Sequence, residues 1–181
     1  MALACLPAGA RAQDAQPRME ARADARTAAG APLPGARAAG QGRLSVWGFE
    51  VYDASLWVMP DFRQAGFERH AFALELSYLR AFSARDIAQR SIAEMRRASG
   101  FDAANALRWQ AALEAVLPDV RRGDRITGVH RPGFGAAFLV NNKPTGEIAD
   151  PDFARLFFGI WLGAQTSEPA LRERLLAGTT P

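Results

Sequence analysis

Residues 43–58, RLSVWGFEVYDASLWV, constrain the fold of this chain more than any other stretch. Val46, Val51, Tyr52, Leu56, Trp57 and Val58 suit a pleated, half-buried surface, and Trp47-Gly48 interrupts them as a tight turn. The segment is predicted to be a β-hairpin. On its second strand Tyr52, Ala54, Leu56 and Val58 share one face, and Phe49, Val51, Asp53, Ser55 and Trp57 share the other. Both faces are largely apolar, which predicts a central strand covered on both sides. Arg43, Tyr52 and Asp53 are the polar exceptions. An arginine and a tyrosine hydroxyl near an apolar interior are suited to holding a carboxylate or an enol oxygen.

The remaining elements follow from periodicity and punctuation. Residues 60–70 are broken by Pro60 and Gly66 and are predicted to be a loop. FALELSYL at 72–79 alternates like a strand with one face on a core. Ser83 then caps a helix over 84–98 that turns Ile87, Ala88, Ser91, Ile92 and Met95 to one side and ends at Gly100. Asp102 opens a second helix with the stripe Ala106, Trp109, Leu113, Val116, stopped by Pro118. Residues 119–124 form a turn. Strands are predicted over 125–130, 136–140 and 145–148, with turns at Pro132-Gly133 and Asn141-Asn142-Lys143. Asp150-Pro151 starts a helix with the stripe Phe153, Leu156, Phe157, Ile160, Trp161, and a last helix runs from Pro169 to Ala177. Most of these connections are too short for parallel crossovers. The order therefore predicts an α+β fold, an antiparallel sheet with helices packed on one face.

Composition narrows the function. Hydrophobic residues make up 49% of the 181, ample for the core of one domain of about 140 residues. The net charge is +3, and Lys143 is the only lysine among 22 basic residues. No basic cluster interleaved with aromatics marks a nucleic-acid surface. The single Cys5 excludes an intrachain disulfide and a cysteine zinc site. His70 and His130 lack neighbouring ligands, and Asp150-Pro151-Asp152 is explained by helix capping, so neither a metal nor a cofactor is predicted. No apolar run is long enough to span a membrane. Residues 1–12, MALACLPAGARA, end in an A-x-A pattern and are read as a truncated export signal with cleavage after Ala12, placing the mature protein in the periplasm. Residues 13–40, rich in Ala, Gly, Pro and Arg, are predicted to be a disordered linker, and 41–178 the folded domain.

GFEVYDASLWV, ELSYLRAFSARDIAQRSIAEMRR, LPDVRRGDRI, FLVNNKPTGEI and FARLFFGIWLG occur in that order. As an ordered set over residues 40–177 they resemble the bacterial chalcone isomerase-like proteins. The resemblance implies an open-faced β-sandwich with a ligand cleft between a long sheet and its helices. Its enzymes are intramolecular lyases that close a flavanone ring, and its non-catalytic members hold a fatty-acid carboxylate with a strand arginine and a tyrosine. Arg43 corresponds to that arginine. Asp53 stands where the enzymes have threonine, Phe82 where they have the catalytic tyrosine, Arg85 for the lysine and Gln89 for the asparagine. With the threonine and tyrosine replaced, no catalytic residue is assigned. The candidate ligand-binding residues are Arg43, Tyr52, Asp53, Arg85 and Gln89, and Trp57, Trp109 and Trp161 are candidate pocket walls. The expected function is binding of a small amphipathic carboxylate such as a fatty acid. The alternatives are an isomerase or lyase acting on a carbonyl compound, and a structural or partner-binding module.

Overall fold

The computed structural model describes residues 32–181. The expected export signal, Cys5 and most of the expected linker lie outside the described residues. Six strands form one antiparallel sheet in sequence order: β1 (Arg37–Val46), β2 (Phe49–Val58), β3 (Phe72–Tyr78), β4 (Arg125–Arg131), β5 (Gly135–Val140) and β6 (Lys143–Ile148). Four helices, α1 (Ala84–Met95), α2 (Ala106–Val116), α3 (Pro151–Leu162) and α4 (Pro169–Leu176), pack on one face. The α+β architecture is thus the one the strand and helix order implies.

Local chemistry sets the boundaries. Trp47 and Gly48 both have positive φ, 50° and 80°, in the two-residue turn joining β1 to β2. Asn141 and Asn142 do the same between β5 and β6, and Lys143, expected in that turn, already pairs with Val140. The Ser83 hydroxyl accepts from the Asp86 amide at the start of α1. Asp150 caps α3 by accepting from Phe153 N at 3.0 Å, takes a second bond from Trp109 Nε1 at 2.8 Å, and has Pro151 at the first helical position.

Three expectations need correction. β1 begins at Arg37, inside the stretch read as linker. Ala36 and Ala39 are buried, and Gly40 and Gly42 let α4 lie directly on the strand. A Cβ at Gly42 would sit 2.7 Å from Leu171 Cδ1, and one at Gly40 would overlap the carbonyls of Arg174 and Leu175. Gly40 falls in the stretch read as linker composition, but both glycines mark close helix–strand contact. Second, the helices cover only one face of β2, which lies second from the sheet edge. The other face carries a small apolar cluster of Ala73, Val129 and Ala137, with Trp57, Leu139 and Leu33 packed against it. Third, the segment 60–70 is not merely a surface loop. Phe62 is buried against Phe72, with ring centroids 5.7 Å apart, and a short 3-10 turn spans Phe67–Arg69.

The main core lies between the sheet and the helices. Phe72 and Phe138 from the strands meet Phe153, Phe157 and Phe158 of α3 through edge-on and stacked contacts at 4.9–5.5 Å. His130 stacks on Phe72 at 4.8 Å, and its Nδ1 donates to the His70 carbonyl at 2.8 Å. Burial pushes its pKa down, favouring the neutral ring.

Candidate ligand cavity

Towards the β1–β2 turn the core opens into a cavity of about 480 Å³ between sheet and helices. Its volume falls within the roughly 300–1,000 Å³ typical of small-molecule sites. The sheet supplies Leu44, Tyr52, Leu76, Tyr78 and Ile126 as a floor. Ile87 and Ser91 of α1, Phe157, Ile160 and Trp161 of α3, and Leu171 of α4 close it from above. Phe82 is an apolar wall, its ring centroid 5.8 Å from that of Tyr78.

The polar content is sparse and directed. Tyr52 and Tyr78 are paired across β2 and β3, with rings edge-on at 5.9 Å. Trp161 Nε1 donates to the Tyr52 hydroxyl oxygen at 2.9 Å, which leaves the Tyr52 proton free to be given to another acceptor. Tyr78 is buried, and among the described residues no side chain or amide hydrogen-bonds its hydroxyl. Burial pushes the Tyr52 pKa up to about 12, partly opposed by the Trp161 bond, and burial raises that of Tyr78 further. Both are therefore neutral O–H donors at any physiological pH. Arg90, Glu94 and Glu168 line the same end and act electrostatically on the Tyr52 hydroxyl. Arg90 Nη2 holds Glu94 at 2.6 Å, and 71% of its side chain remains exposed.

Of the five candidate binding residues only Tyr52 lines this cavity. Arg43 and Asp53 face each other across β1 and β2, on the side of the sheet away from Tyr52 and the helices. There Arg43 Nε and Nη2 grip both Asp53 carboxylate oxygens at 2.7 and 2.9 Å, and Nη1 binds Glu50. The 44% exposed Arg43 side chain is a paired surface cation and not an anchor within the cleft. Leu44, its neighbour, takes the inward position opposite Tyr52. Arg85 and Gln89 are exposed on α1 because the buried stripe Ala88, Ser91, Ile92, Met95 turns them outward. Their places at the cavity are taken by Asp86, Ile87, Arg90 and Glu94. Trp109 is core and Trp57 lies on the far sheet face, so Trp161 alone of those three lines the cavity.

Strict alternation also misplaces the hairpin. A bulge between Leu44 and Ser45 leaves Val51 opposite no single partner, so Phe49 and Val51 join Tyr52 in lining the cavity. No local signal reveals that bulge. Tyr78 was visible as a strand residue, but its pairing with Tyr52 depends on the β2–β3 register.

Residues 37–177 match the family described as chalcone isomerase-like. The chain belongs to that family. No curated protein matches the sequence. Among solved structures the chain is similar to the crystal structure of a fatty-acid binding protein of Arabidopsis thaliana. The TM-score is 0.60 at 14% identity, covering 78% of this chain and 87% of the other. At that identity the likeness establishes the chalcone isomerase fold, with the cavity lying between its sheet and helices.

Proposed function

We propose that this chalcone isomerase-like protein is a non-catalytic, periplasmic binding protein for a small amphipathic carboxylate such as a fatty acid. The observation that carries the reading is the apolar cavity with two neutral tyrosine hydroxyls and Arg90 gathered at one end. An acyl chain occupies the apolar walls. Its carboxylate accepts from Tyr52 and Tyr78 and draws Arg90 away from Glu94. The anchor is thus Tyr52, Tyr78 and Arg90 in place of the Arg43–Asp53 pair. The fatty-acid binding protein of the same fold supports a ligand of this class. The wall position of Phe82 supports a lack of ring-closing activity, because a phenyl group neither donates to an enolate nor relays a proton. The periplasmic assignment rests on the Ala-Arg-Ala after the apolar start.

Native mass spectrometry and calorimetry on purified protein with saturated fatty acids of graded length test the binding. Saturable one-to-one binding is expected, with no chalcone turnover above the uncatalysed rate. A protein that binds no fatty acid, or that turns over chalcone, refutes the reading. N-terminal sequencing from the native host tests the compartment. A start near Gln13 is expected, and a cytoplasmic protein retaining Met1 refutes export.

A further inference from the structure

Five large hydrophobic side chains stand exposed among the described residues, and three of them, Val46, Trp47 and Phe49, belong to the β1–β2 turn. Trp47 is 94% exposed and Phe49 60%. Trp47 also has φ 50°, a left-handed conformation that a bulky side chain with a Cβ disfavours and that asparagine or glycine would take more easily. The turn therefore carries a residue that suits neither its backbone nor its exposure to water. No contact within the described chain accounts for it.

The position of the turn explains it. Val46, Trp47 and Phe49 also line the cavity, so one continuous apolar surface runs from the outermost tip of the hairpin to the interior. Arg80 lies beside the tip, its guanidinium 5.0 Å from the centre of the Phe49 ring, and among the described residues no carboxylate pairs with it. Below the apolar tip the surface becomes charged, with Glu50 next to Phe49 and the Arg43–Asp53 pair further down the hairpin, all partly exposed. A thin aromatic tip, an unpaired arginine at its edge and a charged collar beneath match the layering of a bilayer interface. Tryptophan and phenylalanine enter the headgroup boundary, arginine meets lipid phosphate, and the collar stays in water. A convex tip of three residues has less area than the roughly 800 Å² per partner of a stable protein interface.

We propose that the Val46–Phe49 turn is a docking element for an anionic lipid surface, and that an amphiphile passes between bilayer and cavity along it. The proposal goes beyond the cavity reading, and docking is measured on delipidated protein, so either can fail without the other.

The experiment uses full chain with vesicles of phosphatidylcholine and phosphatidylglycerol, some carrying brominated acyl chains. Trp57 and Trp109 lie away from the cavity and Trp161 lines its wall, so the part of the quenching by brominated lipid that is lost in Trp47→Asn reports on Trp47. Quenching and cosedimentation are expected for the native chain. Trp47→Asn, which suits the left-handed turn and so preserves folding, is expected to lower partitioning by at least about tenfold, the effect of returning roughly 60 Å² of apolar surface to water. Phe49→Thr, which keeps a strand-forming residue, is expected to lower it in the same direction. Absence of quenching, or equal partitioning of native chain and Trp47→Asn, overturns the proposal. So does a dimer in sedimentation velocity that Trp47→Asn abolishes, because the tip would then meet a second copy.

Discussion

Tyr78→Phe and Tyr52→Phe remove the same atom from two neighbouring rings, yet the structure assigns them different consequences. The Tyr78 hydroxyl has no hydrogen-bond partner among the described residues, so its removal breaks no internal bond. Urea unfolding of Tyr78→Phe is expected to lie within about 0.5 kcal/mol of the native chain, or slightly above it. The Tyr52 oxygen accepts from Trp161 Nε1, and Tyr52→Phe leaves that indole N–H unpaired at the cavity wall. A destabilisation of about 1–3 kcal/mol is expected, toward the lower end where cavity water replaces the lost acceptor. Fatty-acid affinity is expected to fall in both variants. A hydroxyl bond to a carboxylate contributes about 1.5–3 kcal/mol, which corresponds to a tenfold to hundredfold rise in Kd measured by calorimetry. The discriminating result is Tyr78→Phe, weaker in binding and unchanged in stability. If it binds fatty acid as tightly as the native chain, the head group does not reach the tyrosine pair, and the orientation proposed for the ligand is wrong. If Tyr78→Phe is strongly destabilised, its hydroxyl has an internal partner and is not a free donor.

Arg43→Ala is expected to leave fatty-acid affinity unchanged within twofold, whereas Arg90→Ala raises Kd by roughly tenfold or more, as loss of a charge-assisted bond requires. Calorimetry on both variants checks this, and a larger effect of Arg43→Ala would return the anchor to the outer sheet face. Asp150→Ala removes the cap of α3 and orphans Trp109 Nε1, which together should cost roughly 2–4 kcal/mol in urea unfolding. Asp150→Asn, retaining a cap acceptor, should recover part of that loss. For His130, burial lowers the folded pKa, so the unfolded chain takes up a proton first as pH falls. Its contribution is present above the unfolded pKa near 6.5 and is lost as pH drops below it. The Tm of the native chain should fall between pH 7 and 5, and His130→Gln should flatten that slope.

The element order, the turns and the caps were legible in the sequence because each rests on a local requirement. Trp47-Gly48 and Asn141-Asn142 mark turns whatever surrounds them, Ser83 and Asp150 cap helices through their own backbone, and the stripe Phe153, Leu156, Phe157, Trp161 has only one periodicity that buries it. Antiparallel pairing of the hairpins at 43–58 and 125–148 follows from their short turns, whereas the two-helix connection from β3 to β4 is long enough for a parallel crossover, and its antiparallel pairing is set by tertiary packing. Tertiary structure decided which side of the hairpin is inside. Alternation shows that Arg43 and Leu44 point opposite ways, but not which of them α3 and α4 cover, and docking of α4 over Gly40 and Gly42 settles it in favour of Leu44. The bulge at Val51 then re-aims Phe49 and Val51, and the β2–β3 register sets Tyr78 beside Tyr52. The turn chemistry of the hairpin is local, so the sequence determines it. The polar end of the cavity is assembled from β2, β3, α1 and α3, and only the packing of those four elements brings Tyr52, Tyr78, Arg90 and Trp161 together.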